Sequence, residues 1–390
     1  MGGMDLLFAE SSIKGWGTEQ HFAALAIAMA RRSHKVRCLM RTGSPLERVL
    51  RDANIPVEAL EFRGIADPRL LWALLRMVWR RRPDWLITND GKFYWPFVLV
   101  SAISRARTAL FRHWPNMPKR RLTRRLITHY ADRFIVVSQF QRAHLQSEGI
   151  DVRRMSVLYN PIDTEALRPS PQARLRMRQS LSIASSDVLL GYVGRMIADK
   201  GVFCLFEASE QVLAAAPRTR VLWVGDGADL AELRARVERS VHRARHTFIS
   251  WTANVHDIYV SLDIAVVPSQ YPDPCPRVPV EAQACGVPVV CSKAGGLPET
   301  FVPGVSGLLT EPESVASLAE AILSLAHDPQ RRAQMGAAGR EWVCSKLSFE
   351  RVAQDFEALL RAPDSSVPPQ VSGSSVPTRG AGSVAREATD

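Results

Sequence analysis

The chain has 390 residues, of which 46% are hydrophobic, so it is too long for one ordinary core and predicts two domains of roughly 150 to 200 residues each. No stretch approaches the ~20 uninterrupted apolar residues of a membrane span, which argues against an integral membrane protein. The net charge of +11 is uneven: residues 1–165 hold 27 Lys and Arg against 15 Asp and Glu, or +12, which leaves −1 for residues 166–390.

The N-terminal sequence and the cysteines indicate the type of compartment in which the protein folds. In the N-terminal sequence MGGMDLLFAES, a short apolar run ends at Glu10 and no basic residue precedes that run. This pattern predicts a buried first strand and not a secretory signal. The six cysteines are scattered through apolar stretches without a CxxC pair. This distribution favours buried free thiols in a reducing compartment over a metal or redox site.

The first half alternates apolar runs with helical patterns. Predicted strands are LLFAE, KVRCLM, VEALEF, WLITND, TALFRH, RFIVVS and MSVLYNP, and predicted helices lie at about residues 19–32, 46–53, 68–81, 93–103, 120–130 and 139–148. Strands separated by helices of this length predict a parallel, doubly wound sheet, whose ligands bind beyond the carboxyl ends of the strands. We assign residues 1–165 to this first domain.

Prolines and polar residues interrupt the alternation between Asn160 and Ser186, which indicates the connection between the domains. The pattern then restarts in residues 166–347, with strands VLLGYVGR, TRVLWVG and TFIS, and helices at about 202–214, 230–238, 255–261, 315–326 and 329–344. A last helix is predicted within 348–361. Residues 362–390 have few large apolar side chains and predict a disordered tail.

A glycine loop follows the first strand and opens a helix. In Lys14-Gly15-Trp16-Gly17-Thr18, the glycines permit a tight turn and close approach of a ligand to the backbone, and the helix start supplies N–H donors. A simple turn is the alternative explanation.

Two cations follow a buried strand of the second domain. Arg195 comes just after this strand and Lys200 begins the next helix, in YVGRMIADKG. Such a pair suits a diphosphate, because it neutralises the charge that grows on a leaving nucleotide. Gly194 before the pair, and Gly225 in WVGDG after the next strand, place backbone near the same ligand.

The stretch from Asp263 to Thr300 carries two carboxylates. Asp273 lies in a proline-rich turn after a predicted strand, and Glu281 lies in the first turns of the following helix. A helix start and the Gly295-Gly296 turn offer N–H donors to a phosphate, while the carboxylates are suited to hydroxyl groups.

Polar residues also follow predicted strands of the first domain. His113 in FRHWPN, and Asn89 and Asp90 in LITNDGK, are candidates for contact with a bound ligand. A structural histidine and an Asp-Gly turn are the plain alternatives. Arg120 and Arg121 belong to the basic run HWPNMPKRRLTRR and are further candidates for ligand binding in this domain.

These segments together resemble the group-one family of retaining glycosyltransferases, over about residues 4–361. The resemblance implies the GT-B fold, which is α/β with two Rossmann-like doubly wound domains facing across a cleft, and a last helix that crosses back to the first domain. In that family the first acid, here Asp273, holds hydroxyls of the donor sugar, and the second, here Glu281, holds the ribose. The family usually has Glu at the first position. A histidine near His113 lies close to the sugar in relatives, and the leaving phosphate itself is thought to take the acceptor proton. The acceptor-side candidates that the resemblance then implies are Asn89, Asp90, Arg120 and Arg121.

The resemblance predicts transfer of a sugar from a nucleotide diphosphate sugar to a lipid-linked or lipopolysaccharide-type acceptor at the cytoplasmic face of the membrane. Interleaved Arg and Trp in RMVWRRRPDW suit an anionic membrane surface, with a merely solvated helix face as the alternative. We expect no metal cofactor, because no credible DxD-type pair is present. A nucleotide-sugar epimerase and a nonenzymatic basic protein that binds nucleic acid or membrane are the competing hypotheses; no specific nucleic-acid partner is expected.

Overall fold

The computed structural model describes residues 2–13, 17–62, 64, 67–113, 121–151, 155–252 and 254–363. Two parallel sheets, each with helices on both faces, account for this part of the chain. They confirm the predicted α/β fold with two doubly wound domains.

The first sheet has seven strands in the order β3-β2-β1-β4-β5-β6-β7, all parallel. Its strands are β1 Asp5–Glu10, β2 Lys35–Arg41, β3 Val57–Leu60, β4 Trp85–Thr88, β5 Arg107–Arg112, β6 Arg133–Val136 and β7 Met155–Val157. The helices between them are α1 Gly17–Arg31, α2 Pro45–Asp52, α3 Pro68–Arg81, α4 Tyr94–Ala102, α5 Arg121–Tyr130 and α6 Gln139–Ser147. The chain adds strands on one side of β1 as far as β3 and then continues on the other side with β4. Sheets of this type bind ligands at this switch point, between the loops that follow β1 and β4.

Each face of the first sheet is covered by its own hydrophobic core. Leu6 and Phe8 of β1 point to the face covered by α1 and α2, whereas Leu7 points to the face covered by α3 and α4. This alternation follows from the two-residue period of a strand. Because both faces of the sheet are buried, both sets of side chains are apolar, and the sequence of each strand is a continuous apolar run.

The second sheet has six parallel strands in the order β10-β9-β8-β11-β12-β13. Its strands are β8 Val188–Val193, β9 Thr219–Val224, β10 His246–Ile249, β11 Ile264–Val267, β12 Val289–Ser292 and β13 Gly307–Thr310. The helices are α7 Pro171–Ser180, α8 Val202–Ala215, α9 Leu230–Glu238, α10 Val255–Ser261, α11 Val278–Ala284, α12 Val315–Ala326 and α13 Pro329–Leu347. Here the switch point lies between β8 and β11.

The last helix, α14 Phe349–Arg361, returns to the first domain. Phe356 packs between Phe8 and Phe111, with ring centroids 6.5 Å and 5.5 Å away. The buried Arg133 of β6 donates a hydrogen bond to the carbonyl of Leu359, which lies in the last turn of α14 where carbonyls lack helical partners. After the second domain, the chain therefore returns to the first domain and contributes α14 to its core.

Two further predictions can be compared with the structure. All six cysteines are free thiols. Within the described ranges, no helix combines the length and apolar character that crossing a bilayer requires.

Candidate functional site

Two loops of the second domain meet at the carboxyl edge of its sheet. One follows β8 and contains a 3-10 turn at Ala198–Lys200, and the other follows β11 and contains Asp273. Since β8 and β11 are neighbours whose connections leave in opposite directions, a crevice opens between their loops.

Backbone contacts hold these two loops together. The carbonyl of Asp199 accepts hydrogen bonds from the N–H groups of Gln270 (2.9 Å) and Tyr271 (3.0 Å). Gly201 ends the 3-10 turn with φ +75°, and a Cβ there would lie 1.9 Å from the carbonyl oxygen of Pro268. Only glycine permits both this backbone conformation and this approach, so Lys200 is fixed next to the Asp273 loop.

Lys200 and Asp273, both predicted from sequence, form an ion pair. The Lys200 Nζ lies 3.1 Å from Asp273 Oδ2, and it also lies 5.7 Å from the centre of the Tyr271 ring. Both charged groups remain partly exposed in the crevice. A cation and a carboxylate are thus placed side by side at the carboxyl edge of the sheet.

Arg195 lies on the same loop as Lys200. Its carbonyl accepts a hydrogen bond from the Tyr192 hydroxyl at 2.6 Å, and its side chain is exposed. In the part of the chain that the structure describes, the Arg195 side chain has no hydrogen-bond or ion-pair partner. Its role as the second cation stays a prediction.

The predicted glycines of this edge bring backbone into contact with backbone. A Cβ on Gly225, whose φ is +133°, would lie 2.0 Å from the carbonyl oxygen of Gly194. The loops after β8 and β9 are further linked by the N–H of Met196, which donates to the carbonyl of Asp226 at 2.9 Å. These glycines therefore allow the loops to pack, whether or not a ligand also contacts them.

The Gly295-Gly296 turn packs against the Asp273 loop, and its predicted contact with a phosphate stays a prediction. The N–H of Gly296 donates to the carbonyl of Asp273 at 2.8 Å, so this donor is already used. A Cβ on Gly296 would lie 2.0 Å from the carbonyl oxygen of Pro274. The close packing that fixes the Asp273 loop is the reason that glycine is required here.

Glu281 lies at the start of α11, as predicted, and is buried. Its Oε2 accepts a hydrogen bond from the Tyr259 hydroxyl (2.7 Å), and its Oε1 accepts one from Arg277 Nε (2.9 Å). Each carboxylate oxygen can accept more than one hydrogen bond, so the group retains capacity for a hydroxyl of a ligand.

A cavity of about 290 Å³ lies at the carboxyl edge of the first sheet. Its wall includes residues at or just after the ends of β1, β4 and β5, namely Glu10, Ser11, Asn89, Asp90, Arg112 and His113. The Ser11 hydroxyl donates to the Asp90 carboxylate, and Lys92 Nζ donates to Ser11 Oγ at 3.2 Å. The structure thus brings the predicted Asn89, Asp90 and His113 together in one polar pocket.

Glu10 was predicted only as the end of a strand, but it is the most perturbed carboxyl of this cavity. Burial, followed by the negative charge of Asp90, raises the pKa of Glu10 to about 7. The N–H groups of Ser11 and Ser12 both donate to its Oε1 at 2.8 Å and partly oppose that rise. Glu10 is therefore a group that titrates near neutral pH.

Glu10 makes folding stability depend on pH. Because its folded pKa lies above the unfolded value, the folded state binds the proton more tightly, and stability falls as pH rises from about 4.5 to about 7. Glu10→Gln should remove this loss, with a gain over wild type of up to about 3 kcal/mol at pH 8 and none at pH 4. Urea unfolding across this pH range measures the gain, with the exposed Glu238→Gln as control. An identical gain at pH 4 and pH 8 would contradict the assignment.

The two histidines near the cleft are neutral at physiological pH. Burial lowers the pKa of His113 to about 4, and the Arg112 charge adds to this effect. Burial also lowers the pKa of His21 to about 3, with a second contribution from Arg277 of the other domain. Arg277 thus lies near enough to the first domain to affect its buried side chains.

Some predicted residues fall at the limits of the described structure. Gly15 and Arg120 lie outside the described residues, as do residues 364–390 of the predicted tail. Gly17 is the first residue of α1 and Arg121 the first of α5. Among the described residues, no group of three or more His, Cys, Asp or Glu side chains could hold a metal ion.

Two family models match the chain. A model described as glycosyl transferases group 1 matches residues 173–342, and one described as glycosyltransferase family 4 matches residues 16–166.

Curated relatives match over part of their length. The lipopolysaccharide 1,2-N-acetylglucosaminetransferase of Salmonella typhimurium is 31% identical over 239 residues, which is 59% of this chain and 62% of that protein. A GDP-mannose-dependent monoacylated alpha-(1-6)-phosphatidylinositol monomannoside mannosyltransferase of Corynebacterium glutamicum is 29% identical over 264 residues, or 64% of this chain and 67% of that protein. The chain therefore spans about two thirds of the length of these relatives.

Solved structures resemble nearly the whole chain. The Anabaena protein HepE in complex with UDP-glucose has a TM-score of 0.73 at 25% identity, covering 91% of this chain and 98% of that one. A glycosyltransferase of Rickettsia africae has a TM-score of 0.79 at 18% identity, covering 93% and 98%. These likenesses confirm the predicted GT-B arrangement of two domains.

Proposed function

Because this chain belongs to the family of group 1 glycosyltransferases, we propose that it transfers a sugar from a nucleotide diphosphate sugar to a lipid-linked or lipopolysaccharide-type acceptor. The Lys200–Asp273 pair at the crevice of the second sheet carries this proposal. The names of two relatives agree with it, since one is a lipopolysaccharide glycosyltransferase and the other a phosphatidylinositol monomannoside mannosyltransferase.

The donor binds the second domain in this proposal. Lys200 and Arg195 neutralise the charge that develops on the departing diphosphate, which is where fixed positive charge lowers the barrier most. Asp273 accepts hydrogen bonds from sugar hydroxyls, and Glu281 accepts them from the ribose. The two cations supply this charge without a metal ion, so a chelator should leave the rate unchanged.

The acceptor binds the first-domain cavity. Its carboxylates, its hydroxyls and the buried amide oxygen of Asn89, which has no hydrogen-bond partner among the described residues, are suited to the hydroxyl groups of a sugar. Placing donor and acceptor on facing sheet edges brings the acceptor hydroxyl to the sugar carbon. We propose that the sugar keeps its anomeric configuration, on the resemblance of the acidic signature alone.

The protein acts at the cytoplasmic face of the membrane in this proposal, and we define its docking face as the outer surfaces of α3, α4 and α5. Helix α4 contacts both neighbours. Large apolar side chains are exposed along all three helices: Trp72, Trp79, Leu99, Leu122 and Tyr130. The helices contain four arginines in α3, three in α5 and no Asp or Glu, so anionic lipid headgroups are the partner that this face fits.

Screening nucleotide sugars tests the proposed activity. UDP-, GDP- and ADP-sugars are added to the purified protein, and we expect one of them to raise the melting temperature and to be turned over, with or without EDTA. Product release from donor and acceptor together indicates transfer, whereas conversion of donor alone into its isomer indicates an epimerase. A folded protein that neither binds nor turns over any of these donors would refute the proposal.

A further inference from the structure

We propose that Glu299 is a positioning residue that fixes the orientation of the two domains in which donor and acceptor sites face each other. The inference rests on the proposed function. It concerns a residue that acts on the domain orientation and does not need to contact the donor or the acceptor. It is drawn from the hydrogen bonds of one carboxylate that joins the domains.

Glu299 lies in the second domain, in the 3-10 turn Leu297–Glu299, and accepts three hydrogen bonds from elsewhere. Its Oε2 accepts from the N–H of Gln139 (2.7 Å) and the hydroxyl of Tyr159 (2.8 Å), and its Oε1 accepts from the N–H of Phe140 (2.6 Å). We call these four residues the Glu299 cluster.

The donors in the first domain are a natural partner for a carboxylate. Gln139 and Phe140 are the first two residues of α6, whose N–H groups have no partner within the helix. The helix dipole also favours a negative charge at this end. Ser138 caps the same helix by accepting from the N–H of Gln141, so the first turn of α6 is rigid when it meets Glu299.

The other end of the connection is the donor site. The turn that carries Glu299 begins directly after Gly296, whose N–H donates to the carbonyl of Asp273. The carbonyl of Thr300, on the other side of Glu299, accepts from the buried amide of Gln283 in α11 at 2.8 Å. A movement of α6 relative to this turn is therefore transmitted to the loop that carries Asp273 and to the helix that carries Glu281.

Tyr159 extends the connection to the segment between the domains. It lies between β7 and α7, and both burial and the nearby Glu299 carboxylate raise the pKa of its hydroxyl, which stays a donor at neutral pH. One carboxylate thus joins α6, the interdomain segment and the turn that supports the donor loop.

Glu299→Gln tests the inference, because glutamine keeps the shape but presents only one oxygen to three donors. We expect kcat for transfer to fall about tenfold or more while the donor KM and the melting temperature change little, since transfer depends on alignment across the cleft. Amide exchange of residues 139–147 should accelerate, and the radius of gyration from small-angle scattering should rise. Tyr159→Phe should give a smaller fall in kcat in the same direction.

Glu311→Gln is the matched control, because Glu311 is an exposed carboxylate of the same domain that pairs with Lys293. It should leave kcat, exchange and scattering unchanged. A folded Glu299→Gln protein with wild-type kcat refutes the inference, as does a loss confined to donor KM. If wild type itself transfers no sugar, the proposed function fails, while exchange and scattering still decide whether Glu299 fixes the domain orientation.

Discussion

Replacing Lys200 with alanine should lower the transfer rate by a factor of about 10² to 10³, the usual cost of removing one group that stabilises charge in a transition state. The lysine is held beside Asp273 by the backbone contacts of Asp199 and Gly201, so its ammonium group is already in place when the diphosphate departs. The fold should survive, because a partly exposed ion pair contributes on the order of 1 kcal/mol or less.

Steady-state kinetics and thermal unfolding of the same preparations measure both effects. Lys293→Ala is the matched control, since Lys293 belongs to the same domain and pairs with Glu311 at 3.8 Å on the surface. It should retain the wild-type rate. A Lys200→Ala protein with full activity, or one that loses activity only because it unfolds, would remove Lys200 from the proposed donor site.

Replacing Trp72 and Trp79 together with serine should weaken binding to anionic vesicles by about 100-fold. The two side chains are 64% and 66% exposed, and they lie seven residues apart, on one side of α3. Each large apolar side chain that enters the lipid interface contributes roughly 1.5 to 3 kcal/mol, so losing two should outweigh the attraction that the arginines still provide.

Vesicle sedimentation with and without phosphatidylserine measures this binding. Trp251→Ser is the control, because Trp251 is 73% exposed on the second domain, away from the docking face. Wild-type protein should bind anionic vesicles and ignore neutral ones, and its binding should weaken with salt. Equal loss from Trp251→Ser, or binding that survives the double substitution, would exclude the docking face.

Local sequence patterns were sufficient to predict most helices and strands of the fold. The apolar runs and helical periods located every helix that was given predicted bounds within a few residues, because each of these helices buries a regular set of side chains; α7 and α11 were not given bounds. Strand β13, Gly307–Thr310, was missed. It is a four-residue strand at the edge of the sheet, next to β12, and it begins with glycine, so no periodic pattern distinguishes it from a loop.

Site residues at the ends of strands could be predicted from the sequence. Contacts between residues that are far apart in the chain could not. Lys200 and Asp273 follow β8 and β11, and neighbouring parallel strands bring such residues together. The partner of Glu299 lies 160 residues earlier in the chain, and no local pattern connects it with Gln139. The raised pKa of Glu10 depends in the same way on the fold, which buries this carboxyl and places Asp90 nearby.

The return of α14 to the first domain has a consequence for biosynthesis. Val352, Ala353, Phe356, Leu359 and Leu360 of α14 complete a core whose other buried side chains come from the first 160 residues. When that first portion leaves the ribosome, one face of its sheet lacks its final covering, and about 200 more residues must be translated before the missing helix emerges. The amino-terminal domain therefore matures last although it is made first, and cutting the chain at the interdomain segment should give an incomplete half.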